Sequence, residues 1–443
     1  MPDTPLKQAH TPDISPRPSA CPGLWRIVAA RDGGICRIKL PGGLLLADQA
    51  DAVATAAERF ASGAIEATNR GNLQIRGIGG EHPALVQWLL EAGLGPREAA
   101  GDDVRNLMLS PLAGLDRAML FDARPLAGQI LQMLENTPRL HQLSAKFAVQ
   151  LDAGESLAML EHPHDLWLSA LNLDQQVWLA MGLAGCPAGG QVLGAVPLDQ
   201  GLPLVRAVLE RFLDLATPEQ SRMRQLLADC SVERFIDGLG LRRDAAVLDW
   251  QRPQASSPYL GLLVQRGDEH IALGAAPPLG RLTPAMLRGA ARLAREQGDG
   301  TLRLTPWQSL VIPGIAKAGL ALAEHALSES GLLHSPGQPL TRLIACTGSS
   351  GCAKALADTK TDALALASLL HQGGPGSVHL SGCQRSCAVA HVAPATLLAR
   401  APGSYDLYLR DAREPGFGAL RARDLTLQQA GALLDLPTEH LDD

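Results

Sequence analysis

The sequence predicts a mixed α+β and α/β fold made of two pseudo-symmetric halves, each a small α+β unit followed by an α/β unit. Three observations support this prediction: a segment that recurs at a fixed offset, the same order of helix and strand patterns around both copies, and four cysteines that follow predicted strands in the second half. The 443 residues are enough for about three lobes with cores of their own.

The recurring segment is the strongest architectural signal. Residues 65–78 read IEATNRGNLQIRGI, and residues 302–315, 237 positions later, read LRLTPWQSLVIPGI. The identical positions are Thr68, Leu73, Ile75, Gly77 and Ile78 against Thr305, Leu310, Ile312, Gly314 and Ile315. The same offset aligns Pro41, Gly43 and Arg105 with Pro278, Gly280 and Arg342. Several matches at one offset indicate an internal duplication.

Both copies predict the same order of elements from their hydrophobic periodicity. Two strands are followed by a helix, by a strand that carries the recurring segment, and by a second helix. The first strand and the two helices are expected at 25–30, 46–62 and 83–92 in the first copy and at 260–265, 283–297 and 318–330 in the second. The predicted organisation is an arm (1–20), a small unit (21–95), an α/β unit (100–255), a second small unit (258–332) and a final α/β unit (335–443).

Composition is that of an ordinary globular protein, with 46% hydrophobic and 19% charged residues. A net charge of −6 and only 3% aromatic residues argue against general nucleic-acid binding. The first twenty residues are polar and proline-rich, which predicts a disordered arm and not a secretory signal, and no apolar run approaches the roughly 20 residues of a membrane span. A cytoplasmic location is therefore expected. In that compartment, the eight cysteines are expected to be ligands, catalysts or buried thiols in preference to disulfides.

Four of the cysteines form a motif at the ends of two predicted strands. Cys346 and Cys352 follow the strand at 341–345, and Cys383 and Cys387 follow the strand at 377–380, which gives C-x5-C, thirty residues, then C-x3-C. The separation has the length of a βαβ crossover, which places both pairs at the carboxyl ends of neighbouring parallel strands. Four thiolates at one point suit a [4Fe–4S] cluster. The alternatives are a structural zinc site, which usually has C-x2-4-C spacing, and four buried thiols.

The first copy of the recurring segment also carries a polar stripe. If residues 65–78 form one strand, alternate positions share one face, and those positions are Thr68, Arg70, Asn72, Gln74 and Arg76. The second copy replaces the two arginines by Trp307 and Pro313. Because arginine suits bidentate capture of carboxylates, only the first copy predicts an anion site; a solvated charged face is the alternative.

The cysteine signature and the T-x-R-x-x-x-Q segment together resemble the sirohaem-type sulfite and nitrite reductases, over nearly the whole chain beyond the arm. The resemblance implies two ferredoxin-like half-units that pair, with the α/β units flanking them. It implies that a [4Fe–4S] cluster is held by Cys346, Cys352, Cys383 and Cys387, and that Cys387 bridges to sirohaem where sirohaem is bound. It further implies that carboxylates or anions are bound by Arg70, Gln74, Arg76, Arg105 and Lys146.

Two departures favour the oxygen-dependent precorrin-3B synthase branch of that family. Ala148 replaces the second lysine of the family's K-F-K motif, which removes a group that grips sulfite or nitrite, and the chain is shorter than typical sirohaem reductases. This branch implies hydroxylation of precorrin-3A to precorrin-3B, with lactone formation, in aerobic cobalamin biosynthesis. The tetrapyrrole pocket would then hold the substrate. The other partners would be O2 and an electron-donating NADH-dependent reductase or ferredoxin, because the chain has no nicotinamide or flavin fingerprint.

Use of O2 also suggests a possible second, mononuclear non-haem iron. His162, His164 and Asp165 have the residue types of a facial triad, and His391 lies near Cys387 in sequence; a plain surface loop is the alternative. The competing functional interpretations are a sirohaem sulfite or nitrite reductase and a non-enzymatic electron carrier or zinc-stabilised scaffold.

Overall fold

The computed structural model describes residues 21–96, 98–255, 257–371 and 376–435. The arm predicted for residues 1–20 lies outside the described residues.

The first half contains a small unit and an α/β unit. The small unit comprises β1 (Val28–Ala30), β2 (Gly33–Ile38), β3 (Leu44–Leu46), α1 (Ala47–Phe60), β4 (Ala64–Ala67), β5 (Leu73–Ile78) and α2 (His82–Glu91). The α/β unit comprises α3 (Ala99–Asp102), β6 (Leu107–Met108), α4 (Ala123–Asn136), β7 (Val149–Asp152), β8 (His164–Leu173), β9 (Gln176–Gly185), β10 (Gly194–Pro197), α5 (Gly201–Leu215), α6 (Met223–Asp229), α7 (Val232–Ile236) and α8 (Ala245–Leu248).

The second half repeats this order. Its small unit comprises β11 (Gly261–Val264), β12 (His270–Ala275), β13 (Arg281–Leu282), α9 (Pro284–Gln297), β14 (Thr301–Leu304), β15 (Leu310–Ala316) and α10 (Leu320–Glu329). Its α/β unit comprises β16 (Leu343–Ala345), α11 (Thr359–Ala367), β17 (Val378–Ser381), β18 (Ala395–Ala401), β19 (Ser404–Leu409), β20 (Ala419–Leu425) and α12 (Leu427–Leu434).

The two small units exchange a strand. Their sheets have the orders β1-β2-β5-β4-β13 and β11-β12-β15-β14-β3, so each sheet ends on a strand from the other half. Leu282 pairs with Ile65 and Leu45 pairs with Leu302, and α1 packs on α9. The apolar faces of both units form one shared core. Because burial of this core needs both halves, the two units are held together as a pair.

The recurring segment is a hairpin, and the prediction of one continuous strand over 65–78 is wrong. Strands β4 and β5 are antiparallel neighbours, joined by a turn in which the Thr68 N–H donates to the Asn72 carbonyl (2.9 Å). Gly71 has a φ of +65°, a conformation that glycine adopts without strain. Arg70 therefore lies in the turn and does not share a strand face with Gln74 and Arg76.

The two α/β units have the same topology. The sheet orders are β10-β9-β8-β7-β6 and β16-β17-β18-β19-β20; in each, three parallel strands are followed by two antiparallel ones. Each sheet has its own apolar core. None of the helices in the described part of the chain has the length and apolar character that crossing a bilayer requires.

Candidate functional site

The four cysteines lie in two loops that leave the same edge of the second α/β sheet. Cys346 follows β16 directly, and Cys383 lies two positions after β17. These strands are parallel neighbours, with Ala345 opposite Leu380, and α11 forms the crossover between them. Parallel strands end at the same sheet edge, so both loops open into one space.

That space is a cavity of about 710 Å³, which we call the cysteine cavity. All four cysteine side chains line it, together with cationic side chains from both halves of the molecule. The cations are Arg31, Arg37, Arg76, Lys354, Lys360 and Arg385.

Backbone groups fit closely around the cysteine sulfurs. The Gly382 N–H donates to Cys346 Sγ at 3.3 Å, and a side chain at Gly382 would place its Cβ 2.7 Å from that of Ala355. Glycine is therefore needed for the loop to approach the sulfur. The C-x3-C loop is held by the 68–72 turn and by the corresponding 305–309 turn, which joins the antiparallel strands β14 and β15. Asn69 Nδ2 donates to the Cys387 carbonyl (3.4 Å), and Gln308 Nε2 donates to the Ala388 carbonyl (3.1 Å).

The thiols are close enough to repel one another as thiolates. Burial raises the pKa of Cys387, and Cys383, Cys346 and Cys352 raise it further. Four mutually repelling thiolates around one cavity are the donor set of a [4Fe–4S] cluster. The positive charge of the iron offsets this repulsion, and metal binding favours the deprotonated form of each cysteine. The residues present therefore fit this cluster.

A single metal ion fits the same residues poorly. A zinc site requires four ligands at about 2.0–2.3 Å from one centre and usually has C-x2-4-C spacing. Cys346 and Cys352 have C-x5-C spacing, so the zinc alternative is not favoured.

Arg76 and Glu66 attach the first half to the Cys346–Cys352 loop. Arg76 is bound to both oxygens of Asp32 (2.9 and 2.8 Å), and it donates to the Gly351 carbonyl (3.1 Å). Thr347 Oγ1 donates to Glu66 Oε2 at 3.1 Å. Burial opposes ionisation of Glu66, but the surrounding cations outweigh it and lower its pKa. Arg76 thus supports the cysteine loop as part of an ion-pair network, although it was predicted only as an anion ligand.

Arg37 and Gln74 form a second pair on the cavity wall. They are cross-strand partners on β2 and β5. With its amide oriented to satisfy both partners, Gln74 accepts two hydrogen bonds from Arg37, at 3.0 and 2.7 Å. Burial lowers the pKa of Arg37, and the Cys21 and Cys387 thiols partly offset that effect. Arg37 thus presents a fixed cation to the cavity.

Arg70 and Arg105 lie on the other side of the 68–72 turn, in a separate space that we call the arginine pocket. Its volume is about 20 Å³, and it is lined by Arg70, Asn72, Arg105, Asn106, Leu107, Met108, Ala148 and His164. Burial lowers the pKa of Arg70 to about 10, assisted by Arg222. Arg105 Nε lies 2.7 Å from Glu135, so its charge is balanced from within the protein, but among the described residues its buried Nε and Nη1 atoms have no hydrogen-bond partner of good geometry.

Lys146 and Asp165, two further residues proposed from the sequence, do not occupy the positions expected of them. Lys146 is exposed and is not among the described residues that line either space. The structure does not support the suggested facial triad of His162, His164 and Asp165, because Asp165 accepts from Arg222 Nε at 2.9 Å through both oxygens. The alternative of a plain surface loop does not hold for the two histidines, which are buried.

Sequence reasoning missed the contribution of β2 to the site. Arg31 and Arg37 line the cysteine cavity, but neither lies in a motif. The alternation in Cys36-Arg37-Ile38-Lys39 indicates a strand with one polar face, and it does not show which cavity that face meets. Only the pairing of Arg37 with Gln74 places it there.

Two family profiles match the chain. One, described as "Nitrite and sulphite reductase 4Fe-4S domain", matches residues 100–245. The other, described as "Nitrite/Sulfite reductase ferredoxin-like half domain", matches twice, at 29–92 and 263–330, in agreement with the duplicated small unit. The four cysteines lie outside both matches, in the second α/β unit.

Individual proteins show the same relationship. The chain is 31% identical to the chloroplastic ferredoxin–nitrite reductase of Zea mays, over 81% of this chain and 68% of that protein. It is 28% identical to the precorrin-3B synthase of Sinorhizobium sp, over 92% of this chain and 88% of that protein. The structure of the Mycobacterium tuberculosis NirA protein matches with a TM-score of 0.73 and 22% identity, over 91% and 79% of the two chains. The predicted fold class is thereby confirmed.

Proposed function

Because the chain belongs to the nitrite and sulfite reductase family, we propose that it is a [4Fe–4S] oxidoreductase that hydroxylates a polycarboxylate tetrapyrrole with O2, converting precorrin-3A into precorrin-3B with lactone formation. The observation that carries this proposal is the contrast between the two spaces of the site. The cysteine cavity is large and cationic, whereas the arginine pocket is small and its charge is partly neutralised.

The arginine pocket is a poor site for sulfite or nitrite. A volume of about 20 Å³ holds roughly one water, since a water needs about 10–15 Å³. Ala148 supplies no cation there, Lys146 is exposed, and Glu135 already pairs with Arg105. An oxyanion there would meet the guanidinium groups of Arg70 and Arg105, and Glu135 already balances the charge of Arg105.

The cysteine cavity suits a tetrapyrrole with several carboxylates. Its volume of about 710 Å³, which the tetrapyrrole would share with the cluster at the four cysteines, lies in the range of roughly 300–1,000 Å³ that small-molecule sites occupy. Arg37 is held in place by Gln74 through Nε and Nη2, and its fixed charge is positioned to attract an acetate or propionate, because hydrogen bonds between ionised groups are strong. Arg31, Lys354 and Arg385 are further cations on the same wall, and Arg76 keeps the wall in place through Asp32.

Cys346, Cys352, Cys383 and Cys387 are proposed to hold the cluster. When bound, it supplies electrons one at a time from an external donor. The chain's own residues provide the four thiolates, the Gly382 N–H that stabilises charge on Cys346, and the two hairpin turns that fix the loop of Cys387. Hydrogen bonds to cysteine sulfur tune the reduction potential of such clusters.

The atoms and electrons of the proposed hydroxylation balance when one external donor supplies two electrons. One oxygen atom of O2 enters the tetrapyrrole, and the other is reduced to water by two electrons and two protons. The electrons come from ferredoxin, for which the nitrite reductase relatives are named, or from an NADH-dependent reductase. The similarity to the precorrin-3B synthase, 28% identity over 92% of this chain, supports this assignment.

A sirohaem nitrite or sulfite reductase is the second candidate. The observation in its favour is sequence identity, which is 31% to the maize enzyme against 28% to the precorrin-3B synthase. In that case the cysteine cavity would bind sirohaem as cofactor.

The two candidates are separated by the chromophore of anaerobically purified protein. We expect about four irons and four sulfides per chain, broad absorption without macrocycle bands, and incorporation of one 18O atom into precorrin-3A from 18O2. Sirohaem bands that shift on addition of nitrite or sulfite, together with nitrite- or sulfite-dependent oxidation of a reduced dye, would refute the proposal in favour of the reductase.

A further inference from the structure

Buried histidines gather at the contact between the two α/β units. The rings of His162 and His391, one from each unit, lie 5.1 Å apart. His379, on β17, is close enough to His391 to lower its own pKa through that neighbour, although burial is the larger cause. His164, two residues from His162, lines the arginine pocket.

Several polar atoms in this group have no hydrogen-bond partner among the described residues. They are His162 Nδ1, His379 Nε2, His391 Nδ1 and Thr396 Oγ1, and Thr396 is the strand partner of His379. The His162 and His379 side chains are 2% and 1% exposed. Buried polar atoms are nearly always bonded, and ordered water supplies the bond where the protein does not. Ordered water between these side chains would supply the missing hydrogen bonds.

The histidine group extends from the protein surface at Glu161 to the lining of the arginine pocket at His164. At the solvent end, His391 Nε2 lies 3.8 Å from Glu161, whose other oxygen pairs with Arg410 at 2.8 Å, and Glu161 is 40% exposed. At the site end, His164 Nδ1 donates to the His162 carbonyl (2.8 Å), which leaves His164 Nε2 as an acceptor. Both buried rings are neutral near pH 7, because burial lowers their pKa values and Arg70 lowers them further.

We propose that Glu161, His391, His162 and His164 form a proton-delivery path from solvent to the 68–72 turn, with water between the rings. Arg70, on one side of this turn, lines the arginine pocket together with His164, and Thr68 and Asn69, on the other side, line the cysteine cavity, where the reaction is proposed to occur. A neutral imidazole carries protons in this way because one ring nitrogen accepts while the other donates. The charged and titratable groups that face the path are Glu161, Arg410, His379 and Arg70.

The proton path depends on the proposed function in one respect, which is that the reaction consumes protons. Hydroxylation takes up two protons with two electrons as the second oxygen atom becomes water. The alternative, reduction of nitrite to ammonium, takes up eight protons with six electrons. Either reaction at a buried site needs protons brought through the protein, so failure of the precorrin assignment does not by itself remove the path.

The test compares His391→Gln and His162→Gln with His325→Gln, a surface histidine paired with Glu329. Turnover is measured with the substrate that the wild type consumes, precorrin-3A with O2 or nitrite, so that the two hypotheses are judged separately. We expect kcat to fall at least about tenfold in both path variants, which is less than the roughly 10²–10⁴-fold contribution of a group that itself transfers the proton in the transition state. The H2O/D2O effect should increase and added imidazole should restore turnover, while iron content and His325→Gln stay at wild-type values.

The proposal is overturned if both path variants keep kcat within twofold of the wild type, or if the loss is insensitive to D2O and imidazole. A high-resolution crystal structure of the unmodified protein provides the test that needs no variant and no substrate. Ordered waters bridging His162, His379 and His391 support the path, and a dry contact overturns it.

Discussion

The same crevice occurs twice in this molecule and is used in two ways. In the first α/β unit, the loops after β6 and β7 are joined by Asp116, which accepts from the Ser156 N–H (2.9 Å) and hydroxyl (2.6 Å). In the second unit, the corresponding loops after β16 and β17 carry the four cysteines and enclose the cysteine cavity. One crevice is closed by hydrogen bonds between its own loops, and the other is kept open for a ligand.

The difference shows how a duplicated fold specialises. The topology supplies a loop crevice at the carboxyl ends of two parallel strands in each half. Side-chain chemistry then decides its use: buried carboxylates with matched donors make one crevice a stable contact, and thiols with a glycine backbone make the other a site. The hairpin turns show the same division, because Arg70 in the first corresponds to Trp307 in the second.

The largest effect is expected in the second crevice. Cys352→Ser removes one of four thiolate ligands, and we expect it to lose most of the bound iron and all turnover, since the cluster requires its full ligand set. Iron and sulfide content and visible absorption measure this. Cys186→Ser, outside both loops, is the control and should keep wild-type iron. Full iron content in Cys352→Ser would remove the cluster assignment.

In the first crevice the expected loss is one of stability. Asp116→Ala leaves the part-buried donors of Ser156 and Ala118 without their carboxylate acceptor, and a hydrogen bond to a charged group contributes about 1.5–3 kcal/mol. We expect the free energy of unfolding in urea to fall by roughly 2–4 kcal/mol, with iron content unchanged in the folded protein. Asp199→Ala, at an exposed position, should change it by less than about 0.5 kcal/mol. Loss of iron from folded Asp116→Ala would contradict the division between the crevices.

A pH dependence of stability is expected from the same crevice. Burial, followed by the Asp152 charge, raises the pKa of Glu155 from 4.5 to about 8. The folded state keeps this proton up to about pH 8, whereas the unfolded chain releases it near 4.5. The stabilisation is therefore complete below pH 4.5 and is lost as pH rises to about 8.

Glu155→Gln should remove this dependence. Its unfolding free energy should fall less than that of the wild type between about pH 5 and about pH 8, by an amount on the order of 1 kcal/mol or more. Urea unfolding at both pH values measures the difference, and Glu414→Gln, at an exposed position, is the control. Equal slopes for wild type and Glu155→Gln would show that Glu155 is ionised in the folded protein.

Local signals in the sequence were sufficient for much of the architecture. The C-x5-C and C-x3-C spacings predict where the loops lie because each pair follows a single strand. The offset of 237 residues predicts the duplicated small units. The turn at 68–72 was missed because its polar residues alternate as they would in a strand, and only the positive φ of Gly71 distinguishes the two conformations.

Long-range pairing could not be predicted from one sequence. The exchange of β3 and β13 depends on three-residue and two-residue strands that find partners in the opposite half, and such short segments carry too little periodicity to be assigned. The pairing of Arg105 with Glu135 likewise joins residues whose charges alone do not show that they meet. Arg105, which the sequence predicts as an anion ligand, is therefore one member of an internal ion pair in the folded protein.

The smallest effect is expected for substitution of Lys146. It tests whether a residue that matches a sequence motif or a residue that lines the cysteine cavity binds the tetrapyrrole carboxylates. Lys146 matches a family motif but is exposed, whereas Arg37 matches none and lines the cysteine cavity. For a stable polycarboxylate porphyrin used as a probe, we expect Lys146→Ala to change Kd by less than about twofold. Arg37→Ala should raise Kd about tenfold, or about 1.4 kcal/mol, because it removes a fixed cation. Fluorescence titration measures both, and the reverse order would place the tetrapyrrole carboxylates at Lys146, outside the cysteine cavity.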